Sequence, residues 1–229
     1  MVFDLPRFES EPVLGIIRGL NESCLEGVLE AAFAGGLRFL EITLNTPDAL
    51  HLINKINTKY TQLQIGAGTV LSAEEAKKAI DAGAKYIVAP NFDEEVSTFC
   101  VQNQIAYFPG ALTPSEIKKA WDAGATMVKV FPASQMGPDY FKIIKGPFDK
   151  IKLMAVGGVN PGNIKDYLGA GADGVALGGS IFSTQRMADR RFEEIRKDIE
   201  EFMFAVKEFY SKISLVEQQT AKNFGGDGK

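Results

Sequence analysis

Histidine and cysteine, which supply many transition-metal ligands in proteins, are scarce in this chain of 229 residues. His51 is the single histidine, and Cys24 and Cys100 lie far apart, without the short spacing of zinc ligands. The scarcity argues against a zinc centre and against a Ser-His-Asp or Cys-His catalytic set. His51 falls in the polar helical stretch DALHLINKINTKY, so we expect it to be an ordinary surface residue. The functional site is therefore expected to contain no metal.

The chain also lacks long apolar runs and an excess of basic residues. No run approaches the roughly 18 apolar residues that cross a membrane. The first residues, MVFDLPRFESEP, do not have the basic and then apolar pattern of a signal peptide. Lys and Arg number 25 against 29 Asp and Glu, which argues against a general nucleic-acid-binding protein but leaves room for a local anion site. These absences predict a cytoplasmic protein with neither membrane nor nucleic-acid partners.

The chain does contain a regular alternation of short apolar segments and longer amphipathic ones. Eight segments have the nearly continuous apolar character of strands that are buried on both faces. The predicted strands are 13–19, 39–45, 64–70, 86–91, 106–112, 127–133, 152–159 and 174–182. The amphipathic segments between them, such as SAEEAKKAIDAGA, predict helices.

An internal repeat indicates how these units are arranged. Gly36, Gly83, Gly124 and Gly171 each follow a predicted helix and precede a strand, at spacings of 47, 41 and 47 residues. Each period contains two βα units, so four periods give eight, which is typical of a (β/α)8 barrel. A doubly wound open sheet would not by itself predict this repeat, and no GxGxxG motif follows the first strand.

The predicted fold class is therefore α/β, a single (β/α)8 TIM barrel. One domain is expected over residues 1–212, and its last element is a long helix at about 190–212. The polar, glycine-ended remainder, 213–229, is predicted to be a flexible tail.

Two charged residues lie within predicted strands, where a core would prefer apolar side chains. Lys129 is flanked by Val128 and Val130, and Glu41 is the only carboxylate in LRFLEITLN. Burial moves the pKa of a lysine toward neutrality, and a neutral amine can attack a ketone to form a Schiff base. Two interpretations stay open on these grounds: a structural ion pair in the barrel, or a nucleophilic amine beside a general acid/base.

Paired glycines follow the last two predicted strands. Gly157 and Gly158 occur in AVGGVN, and Gly178 and Gly179 precede Ser180 in LGGSIF. Glycine lets backbone N–H groups approach an anion, and the loops after strands seven and eight of such barrels often bind phosphate. The alternative is that these glycines only make tight turns, but two pairs on adjacent strands favour a phosphate site.

Together the segments EITLN, GAGTVL, FPG, TPSE, KVFPA, AVGGVNP and LGGS resemble the class I 2-keto-3-deoxy-6-phosphogluconate (KDPG) and 4-hydroxy-2-oxoglutarate (KHG) aldolases, over about residues 13–182. The resemblance implies that Lys129 forms the Schiff base and that Glu41 shuttles protons. It also implies that Thr69 and Arg18 hold the substrate carboxylate. The phosphate would be bound by Gly157, Gly158, Gly178, Gly179 and Ser180. The resemblance further implies a homotrimer and a reaction without cofactors.

One position departs from many KDPG-type members, which have arginine where this chain has Asn45 in EITLNTP. The 6-phosphogalactonate-type relatives are more similar here and in AVGGV. A neutral amide cannot bind a carboxylate as the arginine fork does, so the aldehyde half of the substrate is left undetermined. The expected activity is cleavage of a 2-keto-3-deoxy-6-phospho sugar acid to pyruvate and glyceraldehyde 3-phosphate, with Asn45 as a third group near the carboxylate.

Three alternatives remain at this point. The natural substrate could lack phosphate, as 4-hydroxy-2-oxoglutarate does. The chain could be a phosphate-binding barrel epimerase or decarboxylase that uses Glu41 and Lys129 without a covalent step. Finally, it could be a silent barrel that only binds a sugar phosphate.

Overall fold

The computed structural model describes residues 3–224, with side chains as far as Ile213, and it contains one parallel sheet surrounded by helices. The strands are β1 (Val13–Ile17), β2 (Phe39–Thr43), β3 (Gln64–Gly68), β4 (Tyr86–Val88), β5 (Ala106–Phe108), β6 (Gly110–Ala111), β7 (Val128–Val130), β8 (Leu153–Val156) and β9 (Gly174–Leu177). Their order is β5-β4-β3-β2-β1-β9-β8-β7-β6, and each pair is parallel.

The two ends of this order meet at Pro109. β5 and β6 are separated in the chain by this residue alone, and together they occupy the place of the predicted strand 106–112. Proline has no N–H for a sheet, so it interrupts the strand, while its carbonyl still accepts a 2.8 Å hydrogen bond from the N–H of Lys129. The sheet is thus a nearly closed barrel. The predicted barrel is confirmed, and the single strand 106–112 is corrected to two.

The helices lie on the outside of the sheet. In the described range they are α1 (Leu5–Ser10), α2 (Leu25–Ala34), α3 (Ala49–Lys59), α4 (Ala73–Asp81), α5 (Glu94–Gln102), α6 (Pro114–Asp122), α7 (Ala133–Met136), α8 (Pro138–Lys145), α9 (Ile164–Gly169), α10 (Thr184–Ala188) and α11 (Phe192–Phe224). A short 3-10 turn, Glu22–Cys24, precedes α2. None of the described helices is both long enough and apolar enough to cross a membrane.

The four repeat glycines end helices in the way their spacing predicts. Gly36, Gly83, Gly124 and Gly171 have φ values of +105°, +105°, +95° and +99°, a region that favours glycine. After α2, for example, the N–H of Leu37 donates to the carbonyl of Ala32 and closes the helix end before β2 begins. The repeat is therefore a set of identical helix-to-strand turns.

A six-residue helix that the periodicity does not predict closes the amino-terminal end of the barrel. Asp4 caps α1 by accepting from the N–H of Arg7. Phe3 and Phe8 pack on the interior rings of Phe39 and Phe108, with centroids 4.9–5.6 Å apart. This aromatic layer fills the amino-terminal end of the barrel, opposite the carboxyl ends of the strands, where the active sites of such barrels lie.

The last helix is longer than predicted. α11 continues to Phe224, whereas the sequence predicts its end near Lys212 and a flexible tail over 213–229. The segment VEQQTAKNF contains neither glycine nor proline, so nothing in it stops the helix before Gly225. Residues 213–224 thus have helical backbone, and residues 225–229 lie outside the described residues. Mobility of this segment stays a prediction.

Candidate active site

The alternation of β-strand side chains places Glu41 and Lys129 inside the barrel. Glu41 lies two residues after Phe39 on β2, and Lys129 lies two residues after Met127 at β7. Phe39 and Met127 both belong to the interior apolar cluster, so the charged side chains point inward as well. Glu41 is 1% exposed and Lys129 is 7% exposed. The structure therefore brings the two predicted catalytic side chains into one interior.

The carboxyl group of Glu41 lies against Gly68, the last residue of β3. A Cβ atom at Gly68 would be 2.1 Å from Oε1 of Glu41, so only glycine leaves room for the carboxyl group in this position. Oε2 is buried and has no hydrogen-bond partner among the described residues. An unpartnered buried carboxyl oxygen is costly in a folded protein unless a ligand uses it.

Burial dominates the pKa of both side chains. It raises the pKa of Glu41, and the charges of Lys129 and Arg18 oppose this rise only in part. Burial likewise lowers the pKa of Lys129, the charge of Glu41 opposes the change, and the charge of Arg18 adds to it. A lysine with a lowered pKa is a better nucleophile, and a glutamate with a raised pKa can exchange protons near neutral pH.

Arg18 follows β1 at the mouth of the barrel, and its side chain is exposed. The N–H of the next residue, Gly19, donates a 2.9 Å hydrogen bond to Oγ1 of Thr46, which is 3.2 Å from Oγ1 of Thr43 inside the barrel. The motif Thr46-Pro47 is typical of a helix start, but α3 begins at Ala49, and the Thr46 hydroxyl accepts from Gly19 rather than from an N–H of the helix. Thr46 thus ties two strand ends together.

Thr69 and Asn45 occupy the ends of the neighbouring strands. Thr69 directly follows β3 and has a φ of +56°, a strained conformation for a β-branched residue. Such strain is concentrated at functional sites in proteins. Asn45 follows β2 and is exposed. Both lie at the predicted edge of the barrel, but neither lines the cavity described next.

A cavity of about 580 Å³ opens at the ends of β1, β8 and β9. Arg18 lines it together with all five residues of the predicted phosphate site, Gly157, Gly158, Gly178, Gly179 and Ser180. Gly157 and Gly158 have φ values of +96° and +80°, a backbone conformation that favours glycine at both positions. In the described part of the chain, no protein acceptor is bonded to the N–H groups of Gly158, Gly179 or Ser180. These donors and the Ser180 hydroxyl could bind a phosphate.

Phe131 lies between the cavity and Lys129, a position that the sequence does not predict. Its ring lines the cavity, and Nζ of Lys129 is 5.4 Å from the ring centroid. The side chain is 43% exposed, although it follows a buried strand. The ring of Phe131 thus lies between the cavity and the buried amine of Lys129. The sequence does contain a sign of the space beside Glu41, because the motif GAGT places Gly66 and Gly68 at alternate positions of β3.

His51 is exposed on α3, 3.5 Å from Glu22, as the sequence predicts. Cys24 and Cys100 are separate buried thiols, and burial raises the pKa of Cys100 to about 12. An unreactive thiol of this kind fits packing rather than chemistry.

Comparison with known proteins identifies one family. A family model described as KDPG and KHG aldolase matches residues 6–197. The chain is 33% identical to the 2-dehydro-3-deoxy-6-phosphogalactonate aldolase of Escherichia coli, with 86% of this chain and 97% of that protein covered. It is 36% identical to the 2-dehydro-3-deoxy-phosphogluconate aldolase of Pseudomonas aeruginosa, with 78% and 81% covered.

Solved structures are similar over most of the chain. A structure described as native KDPGal matches with a TM-score of 0.82 at 32% identity, covering 87% of this chain and 96% of that one. The KDPG aldolase of Legionella pneumophila, captured with pyruvate as a covalent carbinolamine intermediate, matches with a TM-score of 0.79 at 28% identity, covering 84% and 94%. The barrel, its buried lysine and glutamate, and the family model across most of the sequence lead to one conclusion: this chain belongs to the KDPG and KHG aldolase family.

Proposed function

We propose that this chain is a class I aldolase that cleaves a 2-keto-3-deoxy-6-phospho sugar acid to pyruvate and glyceraldehyde 3-phosphate. The observation that carries the proposal is the pair of buried side chains, Lys129 and Glu41, in a barrel whose mouth has three backbone N–H groups without an acceptor among the described residues. A carboxyl oxygen without a protein partner is suited to a substrate hydroxyl group. The names of the E. coli and P. aeruginosa relatives support the same substrate class.

The chemistry follows from the two pKa changes. The amine of Lys129 attacks the C2 ketone, water leaves, and a protonated imine results. Glu41 takes the proton of the C4 hydroxyl group, directly or through water, as the C3–C4 bond breaks and its electron pair moves into the imine. The aldehyde leaves, and an enamine of pyruvate remains on Lys129. Glu41 then returns the proton to C3, and water hydrolyses the imine to free pyruvate.

The remaining residues orient the two ends of the substrate. Arg18, Thr69 and Asn45 are proposed to hold the carboxylate end, since all three lie at the strand ends around the barrel mouth. Arg18 also favours the carboxylate form of Glu41, because its charge opposes the effect of burial on the pKa of Glu41. The two glycine loops and Ser180 are proposed to bind the phosphate. No organic cofactor takes part in this scheme.

Measurement of both products tests this proposal. The wild type should release pyruvate and glyceraldehyde 3-phosphate in equal amounts from KDPG or from its galactonate epimer. Lys129→Met should reduce cleavage to background, whereas His51→Gln, a surface change, should leave it unchanged. Cleavage that survives Lys129→Met would favour a barrel enzyme that works without a covalent step.

The C4 configuration is the finer question. The relatives from Rhizobium meliloti and E. coli are named as 6-phosphogalactonate aldolases, and the relative from P. aeruginosa as a phosphogluconate aldolase. We propose that this chain accepts the galactonate epimer at least as well, because Asn45 replaces the arginine of many KDPG-type sequences. Comparison of kcat/KM for the two epimers and for 4-hydroxy-2-oxoglutarate decides among the three substrates.

A homotrimer and a cytoplasmic location remain proposals: the homotrimer rests on the family resemblance, and the location on the sequence pattern of the first residues and the lack of long apolar runs. A related chain occurs in a designed cage built by fusing symmetric oligomeric domains, at a TM-score of 0.85. Light scattering of the purified protein tests the trimer, and a monomer at working concentration would exclude it. Fractionation of the source cells tests the location.

A further inference from the structure

The turn that follows β9, residues 178–182, contacts one arginine through its backbone carbonyl groups. Nη1 of Arg186 lies 3.2 Å from the carbonyl oxygen of Ser180 and 3.3 Å from that of Ile181. The N–H groups of Ile181 and Phe182 donate to the carbonyl of Gly178, each at 2.9 Å, so the turn is also closed from within. The N–H groups of Gly179 and Ser180, two residues that line the cavity, have no acceptor among the described residues.

Arg186 is itself fixed from behind by α11. Its Nη1 donates a 2.7 Å hydrogen bond to Oδ2 of Asp198, and its Nη2 lies 3.7 Å from Oε2 of Glu194. Its backbone N–H donates to Oγ of Ser183, the cap of α10. The side chain is 15% exposed, far less than most charged side chains of the surface. A planar guanidinium held on two sides is a rigid support, since its donors have fixed directions.

We propose that Arg186 is a positioning residue for phosphate recognition, which sets the turn of Gly179 and Ser180 so that its N–H groups and hydroxyl face the cavity. Arg186 does not line the cavity, so it acts through the turn rather than by contact with the phosphate. Preorganised donors bind an anion more tightly because the loop does not have to be ordered on binding. The proposal rests on the phosphate site of the proposed function and adds the residue that shapes it.

The experiment separates phosphate binding from the chemistry on Lys129. Arg186→Met should raise KM for the phosphorylated substrate about tenfold and weaken inhibition by inorganic phosphate by a similar factor, with kcat changed less. Exchange of the pyruvate methyl protons with deuterated water, followed by NMR, uses Lys129 but no phosphate. Its rate and its KM for pyruvate should stay within about twofold of the wild type, since the contacts of Arg186, with the turn, α10 and α11, include neither Lys129 nor Glu41.

Three further variants make the result specific. Arg186→Lys should recover part of the phosphate affinity, because an ammonium group can still donate to one carbonyl. Asp198→Asn, a milder change, should raise the same KM by a smaller factor. Arg196→Met is the matched control, since Arg196 lies on the same helix as Asp198 and pairs with Glu193 at 3.6 Å and Glu200 at 3.2 Å, neither of which holds Arg186, and it should leave both readouts unchanged.

Either of two results overturns the proposal: an unchanged KM for the phosphorylated substrate in Arg186→Met, or equal losses in phosphate-dependent and phosphate-independent reactions. The second result would indicate a general structural role. Failure of the proposed function looks different, because the wild type itself would then show neither cleavage of the phosphorylated substrate nor exchange of pyruvate protons.

Discussion

Gly68→Ala offers the sharpest test of how Glu41 is held. The new Cβ would lie 2.1 Å from Oε1 and 2.6 Å from Cδ of Glu41, and its three nearest neighbours are all atoms of that carboxyl arm. The φ of Gly68 is not in the glycine-only region, so the backbone accepts alanine. An ordinary contact needs about 3.4 Å, so the carboxyl oxygen must move by about 1.3 Å.

A shift of this size should slow the proton transfers and leave the amine chemistry intact. A misplacement of about 1 Å can reduce a catalytic rate about 10²-fold, so we expect a similar loss in kcat and in the rate of pyruvate proton exchange. Imine formation on Lys129 should persist, because the three atoms nearest to the alanine methyl group all belong to Glu41. Exchange is measured by NMR in deuterated water, and imine formation by borohydride trapping with pyruvate.

Gly169→Ala in α9 is the matched control. Its Cβ would lie 3.8 Å from the ring of Phe209, which is an ordinary contact far from the barrel interior. It should retain wild-type exchange and a melting temperature at least as high, since alanine favours a helix over glycine. The account of Glu41 is refuted if Gly68→Ala is folded and exchanges protons within twofold of the wild type, or if it loses imine formation as well.

Further predictions concern pH and the two substrate ends. Burial raises the pKa of Glu41 above its usual 4.5, so the wild type should lose stability as the pH rises through that raised value. Glutamine does not titrate, so the melting temperature of Glu41→Gln should rise relative to that of the wild type as the pH increases above 4.5. A difference in melting temperature that does not change with pH would refute the raised pKa of Glu41. Pyruvate exchange should fall as the pH drops through the same pKa, because the carboxylate is the base, and a pH-independent rate would contradict this. Gly158→Ala has a φ of +80° and a Cβ position 2.4 Å from Ser134, so it should raise KM for the phosphorylated substrate about tenfold and spare pyruvate exchange. Ser180→Ala should raise the same KM by a smaller factor, as expected for one hydrogen bond of several, and kinetics with both substrates check it.

Local signals were sufficient for the barrel and for the two charged residues. Glycines at a regular spacing end helices at a positive φ, so Gly36, Gly83, Gly124 and Gly171 could be identified without a structure. A lysine between two valines and a glutamate in an apolar strand are unusual in sequence, because a buried charge costs several kcal/mol, on the order of the desolvation penalty, unless it is paired. Because side chains alternate between the two faces of a strand, Lys129 and Glu41 can then be placed in the barrel interior.

Other features depend on contacts between distant parts of the chain. Pro109 breaks a strand, but only the pairing of β5 with β4 and of β6 with β7 shows that the barrel continues across the break. The six residues of α1 are too few for a periodic signal, and their position is fixed by packing of Phe3 and Phe8 on interior rings. Thr46 resembles a helix cap in sequence, but its hydroxyl group accepts a hydrogen bond from the N–H of Gly19, which is distant in the chain.

The candidate site shows the same division. The glycine pairs and Ser180 could be predicted because loops after the last strands of such barrels are a common phosphate site. The contact between Gly68 and Glu41, and the hold of Arg186 on Ser180, could not, because each joins separate elements through one side chain. The strained φ of Thr69 is likewise invisible in the sequence, since threonine rarely adopts it.

Borohydride trapping is the most direct test of the central claim, that the buried amine of Lys129 forms an imine with the keto acid. The wild type is incubated with pyruvate, reduced, digested and analysed by mass spectrometry, with Lys129→Arg as the control. The account predicts a single reduced pyruvate adduct on the peptide that contains Lys129, and none in the variant. No adduct in the active wild type, or an adduct on a different lysine, would contradict it.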